Sequence, residues 1–236
     1  MAAKGKWSMS PAITGISSMA TRQILGELCH RYQDKTGIAV AIEPMGGVDA
    51  ARRIRGGEAT DVIVLASGVM AKLEAEGFVA AGSVVDVARS GMAIAVRAGA
   101  AHPDIGDEAA VKRAVAAAAR IGYSTGPSGD HLLKLCARWG VPASEDRIVK
   151  APPGVPVGSL VAEGKADLGF QQLSELLHVP GLEVVGPLPP EIQAETVFSA
   201  GICAASSQPQ ETRQLIAFLA APESAEVKRA QGMEPA

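Results

Sequence analysis

Aromatic side chains are scarce in this chain: 3 % of 236 residues, with two Trp, two Tyr and four Phe. That scarcity excludes stacking platforms for single-stranded nucleic acid and aromatic cages for cations. Neither sign of charge dominates. Twenty-two basic against 25 acidic residues leave a formal charge of −3, so the sequence carries no electrostatic footprint for a nucleic-acid partner. No apolar run approaches the roughly 20 residues that a membrane helix needs, so no membrane insertion is expected. The three cysteines, Cys29, Cys136 and Cys203, are odd in number and lack a Cys-x-x-Cys pair. They read as small core residues in a reducing compartment, not as a disulfide framework or a zinc site.

Catalytic and cofactor signatures are missing too. The chain has no Gly-x-Gly-x-x-Gly, no phosphate-binding Gly-x-x-x-x-Gly-Lys-Ser/Thr, no His-Glu-x-x-His and no Gly-x-Ser-x-Gly. Neither a cofactor nor a metal is expected. His30, His102, His131 and His178 stand isolated, which suits solvated surface. The start, Met1-Ala-Ala-Lys-Gly-Lys-Trp7, is basic but has no hydrophobic segment, so as given it points to the cytoplasm. A periplasmic home would require a leader removed from it, and Met9 is an equally good natural start.

What is present is core-forming. Hydrophobic residues make up 47 % and charged residues 20 % of a 24.1 kDa chain, enough for one large domain or two lobes. After Pro11, Ala12 to Ile16 reads as a strand. A helix follows in which Ile24, Leu28 and Tyr32 recur every fourth residue until Gly37. Ile38–Ile42 is the next strand, Ala50–Ile54 a helix broken at Gly56–Gly57, and Val62–Leu65 a β-branched run typical of a strand buried on both faces. Leu73 and Gly77 mark a third helix. Three strand–helix units in about 75 residues define an α/β fold. Further strands are expected at 91–96, 121–124, 168–170, 182–185 and 197–204, and helices at 111–120, from Gly126 through 135, at 159–163 and at 211–219.

Ile54-Arg-Gly-Gly-Glu-Ala-Thr-Asp61 followed by an apolar strand is echoed by Val161-Ala-Glu-Gly-Lys-Ala-Asp167. The echo is either convergent turn chemistry or the mark of two lobes of related design that present strand ends to a shared cleft.

Small polar residues sit where strands give way to helices: Ser17–Ser18, Gly46–Gly47, Ala66–Ser67 and Ser128–Gly129. Unpaired N–H groups make a helix N-terminus an anion site, and ligands of open α/β sheets bind at the carboxyl ends of strands. The serines serve equally as helix caps.

These stretches, in order, resemble the type II periplasmic-binding-protein superfamily, in its molybdate-binding branch. The matching segments are Ser17-Ser-Met-Ala-Thr-Arg22, Ala50–Ile54 with Gly57–Ser67, Leu73–Gly77, Gly164–Gly169 and Ala220-Ala-Pro222 with Gly232–Pro235. The resemblance implies two α/β lobes joined by crossing strands near Gly91–Val96 and Val197–Ala204. Lobe one is then residues 11–90 plus 198–236, and lobe two residues 91–197. A small anion would close between them, touched by Ser18, the Gly46–Gly47 turn, Ala66, Ser128 or Gly129, the backbone near Pro156, and Gln172.

Two departures bear on the ligand. Glycines stand where the family places a serine, and Gln172 where it places a tyrosine hydroxyl. An amide suits a carboxylate edge better than a tetrahedral dianion, and Arg89–Ser90 would add a guanidinium fork. The implied ligand is therefore a di- or tricarboxylate in preference to molybdate. Ser124–Gly129 and Gly186-Pro-Leu-Pro with Thr196–Gly201 are similar to the sub-branch that includes aconitate isomerase. Two functions follow: a solute-binding protein, served by an ABC transporter if exported, or an isomerase that moves a proton along an allylic tricarboxylate. The isomerase needs a base, for which His131 is the first candidate and Glu175 the second.

Overall fold

A computed structural model describes residues 12–236 apart from 143 and 145. The N-terminal segment discussed above and the first residue assigned to lobe one lie outside the described residues.

Strand β1 (Ile13–Ser18) passes through a 3-10 turn into α1 (Arg22–Thr36), which stops at Gly37. Two further strand–helix pairs follow: β2 (Val40–Met45) with α2 (Gly47–Arg55), and β3 (Val62–Ala66) with α3 (Ser67–Ala75). Strand β1 lies between β2 and β3 and is parallel to both, so all three carboxyl ends emerge on one edge. The run Val62–Leu65 is buried on both faces, as expected. Val62 and Val64 pack with Ile24, Leu28 and Leu215, while Ile63 and Leu65 pack with Ile54, Met70 and Leu73.

The chain then runs along β4 (Val85–Arg97), and after α4 (Glu108–Ala117) it repeats the plan. The pairs are β5 (Ile121–Tyr123) with α5 (Pro127–Trp139), β6 (Ile148–Lys150) with α6 (Val157–Ala162), and β7 (Leu168–Gln172) with α7 (Leu173–Leu176). Strand β5 is parallel to both β6 and β7. The order β6-β5-β7 thus reproduces β2-β1-β3, and the next strand beside β3 or β7 is antiparallel in both lobes. This lobe has its own core, with Met92, Ile94, Val111, Leu132, Leu135 and Phe170 at its centre.

Strand β8 (Leu182–Pro187) and the crossing strand β9 (Glu195–Ile202) lead to α8 (Pro209–Ala220), α9 (Ala225–Ala230) and β10 (Glu234–Pro235). Strand β4 is continuous through both sheets. Its residues 85–91 pair with β9, and its residues 92–97 with β7 and β8. The Gln193 side chain holds this change of partners: Oε1 accepts from Met92 N–H at 2.8 Å and Nε2 donates to Met92 O at 3.1 Å. The architecture is a two-lobed α/β fold in which β4 and β9 are common to both halves.

The echoed aspartates occupy matching places. The Asp61 carboxylate accepts the Thr14 N–H at 3.0 Å and its own N–H donates to Thr14 O at 2.9 Å. Asp167 does the same with Arg120, with both bonds at 2.9 Å.

Candidate functional site

Five strand–helix junctions share one backbone bend. Ser18, Gly46, Ala66, Pro156 and Gln172 all have φ between −63° and −55° and ψ between 134° and 146°. Each bend turns the chain from strand to helix at the carboxyl edge of its sheet and leaves first-turn N–H groups pointing out of the helix end. Only Ser18 caps its own turn, its Oγ accepting from Ala20 N–H at 3.3 Å; the other four junction residues make no side-chain cap.

Between the edges lies a cavity of about 120 Å³. Lobe one lines it with Ser18, Gly46, Gly47, Val48, Asp49, Ala66 and, from β9, Phe198. Lobe two contributes Ser124, Thr125, Gly126, Ser128, Pro156, Gln171, Gln172 and Glu175. Among the described residues no arginine, lysine or histidine lines it. Besides the carboxyls of Asp49 and Glu175, such a wall presents backbone N–H groups, hydroxyls and helix dipoles, the neutral groups that attract negative charge.

Two glycines of the β5–α5 turn are required by geometry. Gly126 has φ +116°, a region closed to residues with a Cβ. A Cβ on Gly129 would lie 1.8 Å from the Ser124 carbonyl oxygen. This close approach packs the first turn of α5 on the loop and brings the buried Ser128 to the cavity.

Among the described residues, Glu175 is the one titratable group that lobe two places in the wall. Gln171 fixes it: its Oε1 accepts the Val157 N–H at 2.9 Å, which leaves Nε2 to donate to Glu175 Oε1 at 2.7 Å. Burial pushes the Glu175 carboxyl up to about 8, against the smaller opposing influence of the Gln171 bond. A carboxyl so placed gains and loses a proton near neutral pH. Beside it, Gln172 Nε2 lies 2.8 Å from Thr196 Oγ1, and its buried Oε1 has no partner among the described residues. The Thr196 hydroxyl both donates and accepts, so it can satisfy either end of the amide and leave the other for a ligand.

The structure brings together Ser18, Gly46, Gly47, Ala66, Ser128, Pro156 and Gln172. It does not bring the remaining candidates to the cavity wall. Ser17 is buried with its hydroxyl unpartnered among the described residues, and Ser67 is the first residue of α3. Gly129 lies behind Ser128. Arg89 is exposed on the part of β4 that pairs with Glu234 of β10, and Ser90 Oγ lies 3.4 Å from Gly232 O. His131 Nε2 is engaged with the Ile192 carbonyl at 2.8 Å. Sequence reasoning passed over Gln171, Asp49 and Thr125; the doubled glutamine at the end of β7 was the available sign for the first.

Two matched three-strand units, two shared crossing strands and a cavity lined by strand–helix turns between them define a type II periplasmic-binding-protein fold of the molybdate-binding-like branch. The chain belongs to the family of bacterial extracellular solute-binding proteins, which it matches over residues 13–234. It is 35 % identical over 229 residues to an aconitate isomerase of Pseudomonas sp, covering 94 % of this chain and 87 % of that protein. Among solved structures it is similar to the periplasmic molybdate-binding protein of Azotobacter vinelandii, with a TM-score of 0.79 and 21 % identity over 94 % of this chain and 98 % of that one. A tungstate ABC transporter structure from Geobacter sulfurreducens superposes with a TM-score of 0.69 and 14 % identity over 92 % and 97 %. No helix among the described residues is long and apolar enough to cross a membrane.

Proposed function

We propose that this chain binds a small polycarboxylate in the interlobe cavity and moves a proton along it, in the manner of an aconitate isomerase. The observation that carries the proposal is the placement of Glu175, a half-buried carboxyl held by Gln171 in the wall of a cavity that, Asp49 apart, is built of neutral groups, where desolvation pushes its acidity up to about 8. The 35 % identical relative supports the same reading.

The chemistry needs one proton carrier and a way to spread charge. Ionised Glu175 takes a proton from the methylene group beside the double bond. The electron pair left behind delocalises through the conjugated system onto carboxylate oxygens, where N–H groups and hydroxyls of the cavity stabilise it. Returning the proton to the far allylic carbon completes a 1,3-shift with no net change in composition. Gln171 positions the carrier by holding one carboxyl oxygen, so that the other is available to the substrate. His131, engaged at Ile192, ranks behind Glu175 for this role.

Incubating the protein with cis-aconitate and following the trans isomer by proton NMR tests the reading. Interconversion is expected, and Glu175→Gln should abolish it while calorimetry still detects binding. Binding without turnover would leave a carboxylate receptor of the kind that serves an ABC transporter. Tight molybdate binding with no response to aconitate would overturn the proposal.

A further inference from the structure

Glu175 belongs to the walls of two cavities. Together with Met19 and Pro156 it separates the ligand cavity from a second one of about 160 Å³. The second is lined by Arg22, Ser159, Ser174 and His178, and it reaches the surface where Arg22 and His178 are exposed. Ser174 is 4 % exposed, and its hydroxyl finds no hydrogen-bond partner among the described residues. The wall of the second cavity is mostly apolar, but Ser174 faces it together with Gln23, Ser159 and Glu175. A buried hydroxyl beside a space of this size with such polar partners is satisfied by water, which occupies about 30 Å³ in the liquid.

We propose that this second cavity is a water-filled passage through which Glu175 exchanges its proton with solvent while substrate closes the first. The inference rests on the isomerase reading above. When Glu175 takes the allylic proton, a C–H bond breaks, its electron pair enters the conjugated carboxylate system, and an O–H bond forms on Glu175. A sealed site would return that same proton. With the passage, the Glu175 proton leaves to a water held at Ser174 and a solvent proton replaces it. The substrate's electron pair then forms the new C–H bond with the replacement.

Isomerisation of cis-aconitate in D₂O reads this directly. The product should carry deuterium at the new C–H in most turnovers. Ser159→Leu, which fills the passage, and Ser174→Ala, which removes the water's anchor, should cut that incorporation several-fold while isomerisation persists. Product that keeps the substrate proton in the wild type, or incorporation unchanged in both variants, would overturn the passage and leave the isomerase reading standing. Absence of any isomerisation would instead sink that reading. The passage is then decided by difference infrared spectroscopy of the neutral Glu175 carboxyl in protein saturated with cis-aconitate, assigned with Glu175→Gln. Rapid exchange into D₂O slowed by Ser159→Leu supports it; equal rates refute it. A thermal melt on each variant confirms that it is folded.

Discussion

Asp61 and Asp167 are structural counterparts: each carboxylate accepts the backbone N–H of a residue 47 positions earlier, at the start of a neighbouring parallel strand. Each pair ties two strand starts together at the edge opposite the cavity, which fixes the register that brings the carboxyl ends level. Related design of the two lobes explains this better than convergent turn chemistry, because strand order, bend geometry and clamp all repeat.

Asp61 carries the heavier load, since Ser206 Oγ at 2.7 Å and Ser207 N–H at 3.2 Å also donate to it. Burial is the largest single influence on its carboxyl and would raise it. The bonds from Thr14, Ser206 and Ser207 together outweigh burial and hold it below the usual range. The stability it supplies is therefore present at neutral pH and lost as pH falls through the folded value. Asp61→Asn should cost roughly 1–3 kcal/mol at neutral pH, with the deficit shrinking in acid, as measured by urea unfolding at both conditions. Asp167→Asn, with one bond to lose, should cost less.

Ser18→Ala separates capping from ligand contact. Loss of the cap on Ala20 N–H should lower stability by about 1 kcal/mol. Loss of a buried donor to the anion should weaken citrate or aconitate binding by a further 1–3 kcal/mol, on the order of ten- to a hundred-fold. Unfolding and calorimetry on the same variant read the two effects, and unchanged affinity with lowered stability would reduce Ser18 to a cap.

Glu175 sets a pH dependence of opposite sign to Asp61. Between its ordinary value of 4.5 and about 8, the folded chain keeps a proton that the unfolded chain has released. Stability contributed by this group therefore declines as pH rises through that window and is level below it. The Tm of Glu175→Gln should climb relative to wild type from about pH 5 to pH 8, with parallel curves in stronger acid. Turnover should rise over the same window as the base form fills.

Molybdate should bind less well than citrate or the aconitates. Gly46 and Gly47 bring no hydroxyl to the wall, and the Gln172 amide is shared with Thr196. Each missing donor costs an enclosed oxyanion roughly 1–3 kcal/mol. Competitive calorimetry decides it, and submicromolar molybdate affinity would contradict it.

The periodic parts of the fold were legible. Ile24, Leu28 and Tyr32 mark the buried face of α1, and Val62–Leu65 announces a strand covered on both sides. Helix α4 ends three residues before its alanine-rich pattern does, because Ala118 turns to an extended ψ of 133° and Arg120 must meet Asp167. Strand β4 starts six residues before its apolar run, since Asp86 and Arg89 lie on its exposed face in lobe one. That also explains why Arg89 does not reach the cavity. Strand β6, of three residues, and α7, of four, are too short to show a period. At the site, Ser18 and Gly46 mark two of the five bends in small-residue chemistry, whereas the shifted acidity of Glu175 follows from desolvation that no local pattern records.

A wall without cations also governs how an anion arrives. Long-range attraction scales with net charge, and dipoles at helix ends fade within about a turn. A chain of formal charge −3 therefore offers a polyanion no steering field. Encounter gains nothing from low ionic strength, where repulsion between like charges is least screened, and discrimination must come from how long the anion stays once the N–H groups have engaged it. Abundant inorganic anions would collide as often as the true ligand and depart sooner.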